Sequence, residues 1–118
     1  VDHCRARAAL HDPLVIEGVG GLMVPLDDRH TVLDWMRELK PLQSLLVVGS
    51  YLGTISHTLT TLDVMRRNGL GPRAIVVSES LENPVPLAET VETIARFAKC
   101  DVVAVPRGGE ADLASLFV

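Results

Sequence analysis

A chain of 118 residues with 47% hydrophobic and 22% charged residues is long enough for a real core and too apolar to be disordered. A net charge of −4, with no basic patch and no basic–aromatic interleaving, argues against a nucleic-acid partner. No apolar run approaches the roughly 18 residues that span a bilayer and no signal peptide is visible, so no membrane partner is expected either.

Aromatic residues make up only 3% of the chain, so the core must be built from Val, Leu, Ile and Ala, the composition of a buried parallel sheet covered by helices. Cys4 and Cys100 are far apart and lack metal-ligand spacing. They read as reduced thiols of a cytoplasmic protein, with a disulfide left open.

Val1 is not an initiator Met, and Val1–Leu10 reads as the end of a helix leading into a strand. The chain is therefore expected to be a fragment, a processed half or part of a larger protein. Leu14–Glu17 is expected as a short strand. Thr31–Lys40 is expected as a helix with Val32, Trp35, Met36 and Leu39 on one face, stopped by Pro41.

Ser44–Gly49 is a continuous apolar run, the pattern of a strand buried on both faces. A helix follows from about Ile55 to Asn68, with Ile55, Leu59, Leu62 and Met65 as its core stripe and Asn68-Gly69 as its stop. Ala74–Val77 is the third strand, and Leu87–Lys99 a helix with Val91, Ile94, Ala95 and Ala98 inward. Asp101–Pro106 holds the fourth strand, and a last short helix ends near Phe117.

Alternation of strand and helix implies right-handed crossovers, a parallel sheet and a single α/β domain over residues 1–118. Ligands of such sheets gather at the carboxyl ends of the strands. The loops expected there are Glu17–Gly21, Gly49–Thr54, Ser78–Glu82 and Pro106–Glu110.

Two of these loops carry chemistry. In Val15-Ile16-Glu17-Gly18-Val19-Gly20-Gly21 an apolar run ends in one carboxylate followed by small residues. Glycines bring backbone N–H groups close to phosphate, and a hard cation takes carboxylate oxygen, although a plain tight turn reads the same way. In Gly49-Ser50-Tyr51-Leu52-Gly53-Thr54-Ile55-Ser56-His57, Thr54 and Ser56 are placed to cap a helix start. That start can hold a carboxylate or phosphate. No acid residue adjoins His57, which suits packing or hydrogen bonding better than base chemistry. No Gly-x-Ser-x-Gly, Cys–His or metal-cluster motif is present, so no catalytic residue is assigned in this segment.

Glu-Gly-Val-Gly-Gly-Leu-Met-Val-Pro-Leu at 17–26, Leu33-Asp34-Trp35, and Val47 through Thr60 follow one another as in dethiobiotin synthetase, and the chain resembles the C-terminal half to two-thirds of that enzyme. The resemblance implies a P-loop NTPase-like α/β fold, present in part: a three-layer parallel sheet with helices on both faces. It implies a homodimeric ligase of biotin biosynthesis that closes the ureido ring on 7,8-diaminononanoate with CO2 and Mg-ATP. One amine forms a carbamate, ATP phosphorylates it, and the second amine displaces phosphate.

By the same resemblance Glu17 is a Mg2+ ligand, and Gly18, Val19 and Gly20 lie against the ATP phosphates. Leu52, Gly53, Thr54, Ile55 and Ser56 receive the carboxylate of the diamino acid across the dimer interface. Ser78 and Glu79 stand where the family usually has an Asn that reads the adenine edge. A Ser hydroxyl cannot offer the paired donor and acceptor of an amide. Pro106, Arg107 and Gly108 occupy the nucleotide-flanking loop, where Arg107 either stacks on a purine or reaches solvent.

The Gly-x-x-x-x-Gly-Lys-[Ser/Thr] loop is not among the 118 residues, so the segment alone is expected to be inactive. Two alternatives remain at this stage: a non-catalytic dimerisation or ligand-sensing module of the same fold, or a related P-loop ligase or amidotransferase.

Overall fold

The computed structural model describes residues 1–117. Where the sequence suggests one domain, the contacts gather into two compact units, Val1–Leu42 and Gln43 onward.

In the first unit, helix α1 spans Asp2–Ala8 and helix α2 spans Val32–Glu38. Thr31 starts α2 through a capping box: its hydroxyl accepts from the Asp34 N–H, and the Asp34 carboxylate accepts from the Thr31 N–H. These bonds hold the Asp34 carboxyl below its ordinary range. Val32 and Leu33 are the buried residues of α2. At its other end the Arg5 guanidinium donates to the Glu38 carbonyl at 2.8 Å, occupying one of the acceptors a helix C-terminus leaves open.

The strand expected at Leu14–Glu17 does not form. Among the described residues the sheet has three strands, none of them there, and Val15 is 85% exposed. Apolar composition supplies the side chains of a strand. The strand itself needs a neighbour to take up its N–H and C=O groups, and unit 1 offers none.

The second unit holds β1 (Leu45–Gly49), α3 (Thr54–Arg67), β2 (Ala74–Ser78), α4 (Leu87–Ala98) and β3 (Asp101–Val105), then a 3-10 turn at Ala114–Phe117. The sheet is parallel in the order β1-β2-β3, with Gly49 opposite Ser78 and Ser78 opposite Val105. All three strands therefore end at one edge. β2 is central and is buried from Ala74 to Val77, as expected of a strand with two neighbours.

Leu62 of α3 and Ile94 and Ala98 of α4 pack with Ile75 and Val77, joined by Leu46, Val48 and Val102. Both crossover helices of this unit thus cover the same face of its sheet, and the parallel α/β layout expected from the sequence is present. Two right-handed crossovers that advance in one direction along the sheet must leave their helices on one side. Helix α3 ends in a Schellman motif at Gly69, φ +65, with the Gly69 N–H on the Arg66 carbonyl and the Leu70 N–H on the Met65 carbonyl.

Candidate functional site

In unit 1 the predicted phosphate and metal segment is an exposed turn. Glu17, Gly18, Val19 and Gly20 all lie at the surface. Gly20 (φ +89) and Gly21 (φ +116) adopt a backbone that L side chains rarely take. A Cβ on Gly20 would also come within 2.9 Å of Val24 Cγ2. Glycine at 20 is therefore required twice, by conformation and by space.

The turn leads to a tight link closed by an antiparallel Pro25–Thr31 bridge. Inside it Asp27 accepts the N–H groups of Arg29 and His30 at 2.8 Å and meets His30 Nδ1 at 2.9 Å. Those bonds hold the Asp27 carboxyl low, and Asp27 in turn pushes the His30 imidazole up.

The donor chemistry at Glu17 suits magnesium. Among the described residues no three His, Cys, Asp or Glu groups form a metal cluster. Mg2+ does not require one, since it is commonly held by one or two carboxylates together with phosphate oxygens and water.

In unit 2 the site residues come from the strand exits. The β1 exit departs from its expected capping: Thr54 and Ser56 do not cap α3. Gly53 occupies the N-cap with φ +93 and no side-chain cap bond. That shift of one residue puts Thr54 inside the first turn, where its hydroxyl donates to the Gly49 carbonyl at 2.5 Å. The helix start is left without a side-chain acceptor, so the N–H groups of Ile55 and Ser56 are available to an anion. Leu52, next to them, is 84% exposed. His57 is a hydrogen-bonding residue, as its sequence context suggests: its Nδ1 meets the Tyr51 hydroxyl at 3.1 Å.

The β2 and β3 exits are tied together. The Glu79 N–H donates to the Val105 carbonyl at 2.9 Å, which carries the ladder one step past the strands. One Glu79 carboxylate oxygen accepts the Arg107 N–H at 2.8 Å and the other accepts Asn83 Nδ2 at 2.8 Å. Ser78 ends β2 with an exposed side chain, and Pro106, Arg107 and Gly108 form an exposed loop in which Gly108 has φ +71. The structure thus brings Ser78, Glu79, Pro106, Arg107 and Gly108 to one edge of the sheet. Leu52–Ser56 follow the strand exit at that same edge. Glu17–Gly20 belong to the other unit.

Three residues of this edge are not among those singled out from the sequence. Ser50 is 1% exposed, and its N–H donates to Ser80 Oγ at 3.0 Å while the Ser80 N–H donates back to Ser50 Oγ at 2.8 Å. The Ser50 hydroxyl in turn donates to Asn83 Oδ1. The available signal was small polar residues directly after apolar strands, at Ser50 and in Ser78–Asn83. Cys4 and Cys100 are both free thiols. Burial pushes the Cys100 thiol up.

The pattern of the AAA domain family matches residues 1–107, and the chain belongs to that family. Similar curated proteins include ATP-dependent dethiobiotin synthetases, which bears out the resemblance carried by the two motifs. The enzyme of Methylobacterium nodulans is 48% identical over 96 residues, covering 81% of this chain and 42% of its own length. That of Caulobacter vibrioides is 48% identical over 103 residues, covering 86% and 46%. A third, from Acidiphilium cryptum, is 46% identical over 84 residues, covering 71% and 37%. The chain spans less than half the length of these relatives. No helix among the described residues is long and apolar enough to cross a membrane.

Proposed function

We propose that this chain is the C-terminal part of an ATP-dependent dethiobiotin synthetase, a ligase of biotin biosynthesis that works as a homodimer in the cytoplasm. The AAA family match carries the reading, because residues 1–107 include the Glu17 turn, the 49–57 loop and both nucleotide-side exits. The substrates are 7,8-diaminononanoate, CO2 and ATP. One amine adds to CO2 to give a carbamate and loses a proton. A carbamate oxygen takes the γ-phosphoryl group of ATP, releasing ADP. The second amine then attacks the carbamate carbon and expels phosphate, closing the ring.

Within that reaction this chain binds and orients. The free N–H groups of Ile55 and Ser56 at the uncapped start of α3 receive the diamino acid carboxylate, supported by the partial positive charge of the helix N-terminus. The glycine turn at 18–20 would approach the phosphates with backbone, and Glu17 would supply one carboxylate to Mg2+. Bound magnesium would neutralise charge on the phosphate oxygens. The exits at Ser78–Glu79 and Pro106–Gly108 flank the base. With Ser78 in place of an amide, selectivity for adenine is either looser or supplied by backbone groups.

The test is made on the full-length protein. Glu17→Ala is expected to lower Mg-ATP-dependent ring closure at least about 100-fold, roughly 2.7 kcal/mol of transition-state stabilisation, while the dimer persists on gel filtration. Wild-type activity in that variant would remove Glu17 from the metal site. An inactive wild-type protein would remove the ligase reading altogether.

A further inference from the structure

The hydrogen bonds at the carboxyl edge of the sheet form one unbroken chain across all three strand exits. It runs from Ser50 after β1, through Ser80, Asn83 and Glu79 after β2, to the Arg107 N–H after β3. The polarity of every link is set. Glu79 can only accept, so Asn83 must present Nδ2 to it and Oδ1 to Ser50. The Ser50 hydroxyl then donates to Asn83 and accepts from the Ser80 N–H. Ser50 is buried, so its hydroxyl cannot turn to water.

We propose that Glu79 is a positioning residue: through this relay it fixes the Pro106–Gly108 loop against the β2 exit and so sets the nucleotide-flanking wall. The proposal rests on the nucleotide-side reading given above. Arg107 itself is held by its backbone and its side chain is exposed, so the carboxylate governs where the loop sits and not the charge it carries. Both Glu79 oxygens are engaged within the fold. That arrangement fits a group that holds the wall in place better than one that reads the base.

The polarity makes a discriminating test possible. In Glu79→Gln, the amide oxygen can still accept the Arg107 N–H, but its NH2 faces the NH2 of Asn83. Flipping Asn83 removes that clash only by leaving the buried Ser50 O–H without an acceptor. In Asn83→Asp, two carboxylates face each other. When both substitutions are combined, the new amide NH2 at position 79 donates to the new carboxylate at position 83. That carboxylate still accepts from Ser50, so the relay is restored with one link reversed.

Each single variant of the full-length protein is expected to raise the KM for ATP about tenfold, with a smaller change in kcat, the loss of one hydrogen bond to a charged acceptor. The double variant should return to within about threefold of wild type. Amide hydrogen exchange over residues 106–109, measured without nucleotide, should quicken about tenfold in each single variant and recover in the double.

Direct recognition of the base by Glu79 would leave the double variant as impaired as Glu79→Gln, and that result overturns the proposal. Unchanged exchange in the single variants overturns it as well. A wild-type protein that fails to bind ATP defeats the nucleotide reading. The exchange pattern, which needs no ligand, still decides whether Glu79 positions the loop.

Discussion

Replacing Gly49 with Ala probes the junction where β1 meets the relay. The backbone at Gly49 is not in the left-handed region, so the cost of a side chain there is one of space. A Cβ would lie 2.7 Å from Ser80 Oγ and 2.9 Å from Tyr51 Cδ1. Tyr51 is 42% exposed and can swing outward cheaply. Ser80 can move only by turning its hydroxyl away, and that hydroxyl accepts the Ser50 N–H at 3.0 Å. Loss of that acceptor leaves a buried donor unpaired, which costs about 1–3 kcal/mol.

Gly49→Ala should therefore lower stability by about 2 kcal/mol in urea unfolding, with the m-value unchanged. Ser80→Ala removes the same acceptor without adding bulk and should cost about as much. Because both act through one contact, the double variant should lose little more than either single, not their sum. Simple additivity of the two effects would refute the assignment of the cost to Ser80, and a loss below about 0.5 kcal/mol in Gly49→Ala would refute the steric argument itself.

Two further outcomes concern the turns that carry the site. Gly53→Ala meets only ordinary van der Waals contact, the nearest atom being His57 Cε1 at 3.5 Å, so its cost is conformational: φ +93 disfavours a side chain by about 1–2 kcal/mol. The KM for the diamino acid in the full-length enzyme should rise about tenfold as the α3 start relaxes, and an unaltered KM would separate that helix start from the carboxylate. The Asp27–His30 link carries a pH window. The His30 pKa is raised in the folded chain above its ordinary 6.5, so its contribution is fully present below that value and is lost as pH rises through the folded pKa. The Asp27 pKa is lowered below 3.8, so its contribution is present above 3.8 and is lost as pH falls through the folded pKa. An NMR titration should place the His30 midpoint above 6.5 and move it down toward the ordinary value in Asp27→Asn; no movement in that variant would refute the pairing.

Much of this was legible in the chain alone, because periodicity and stop signals are local. The apolar run before Gly49, the stripe Leu59-Leu62-Met65 and the Asn68-Gly69 stop locate β1 and α3 to within a residue or so. Strand–helix alternation is enough for a parallel α/β sheet, and two linked motifs are enough to show the likeness to dethiobiotin synthetases. Leu14–Glu17 failed as a strand because pairing depends on a partner that composition cannot supply. Thr54 looked like a cap by residue type, yet Gly53 holds that position because a left-handed residue turns the chain there.

The sequence by itself determined most of the elements, their order and the residue types at each strand exit. Only the tertiary structure decided that Ser50, Asn83, Glu79 and the Arg107 N–H, drawn from three separate loops, form one hydrogen-bonded chain. The physical reason is the parallel register: it aligns the ends of β1, β2 and β3, and contacts made across strands leave no periodic trace along the chain.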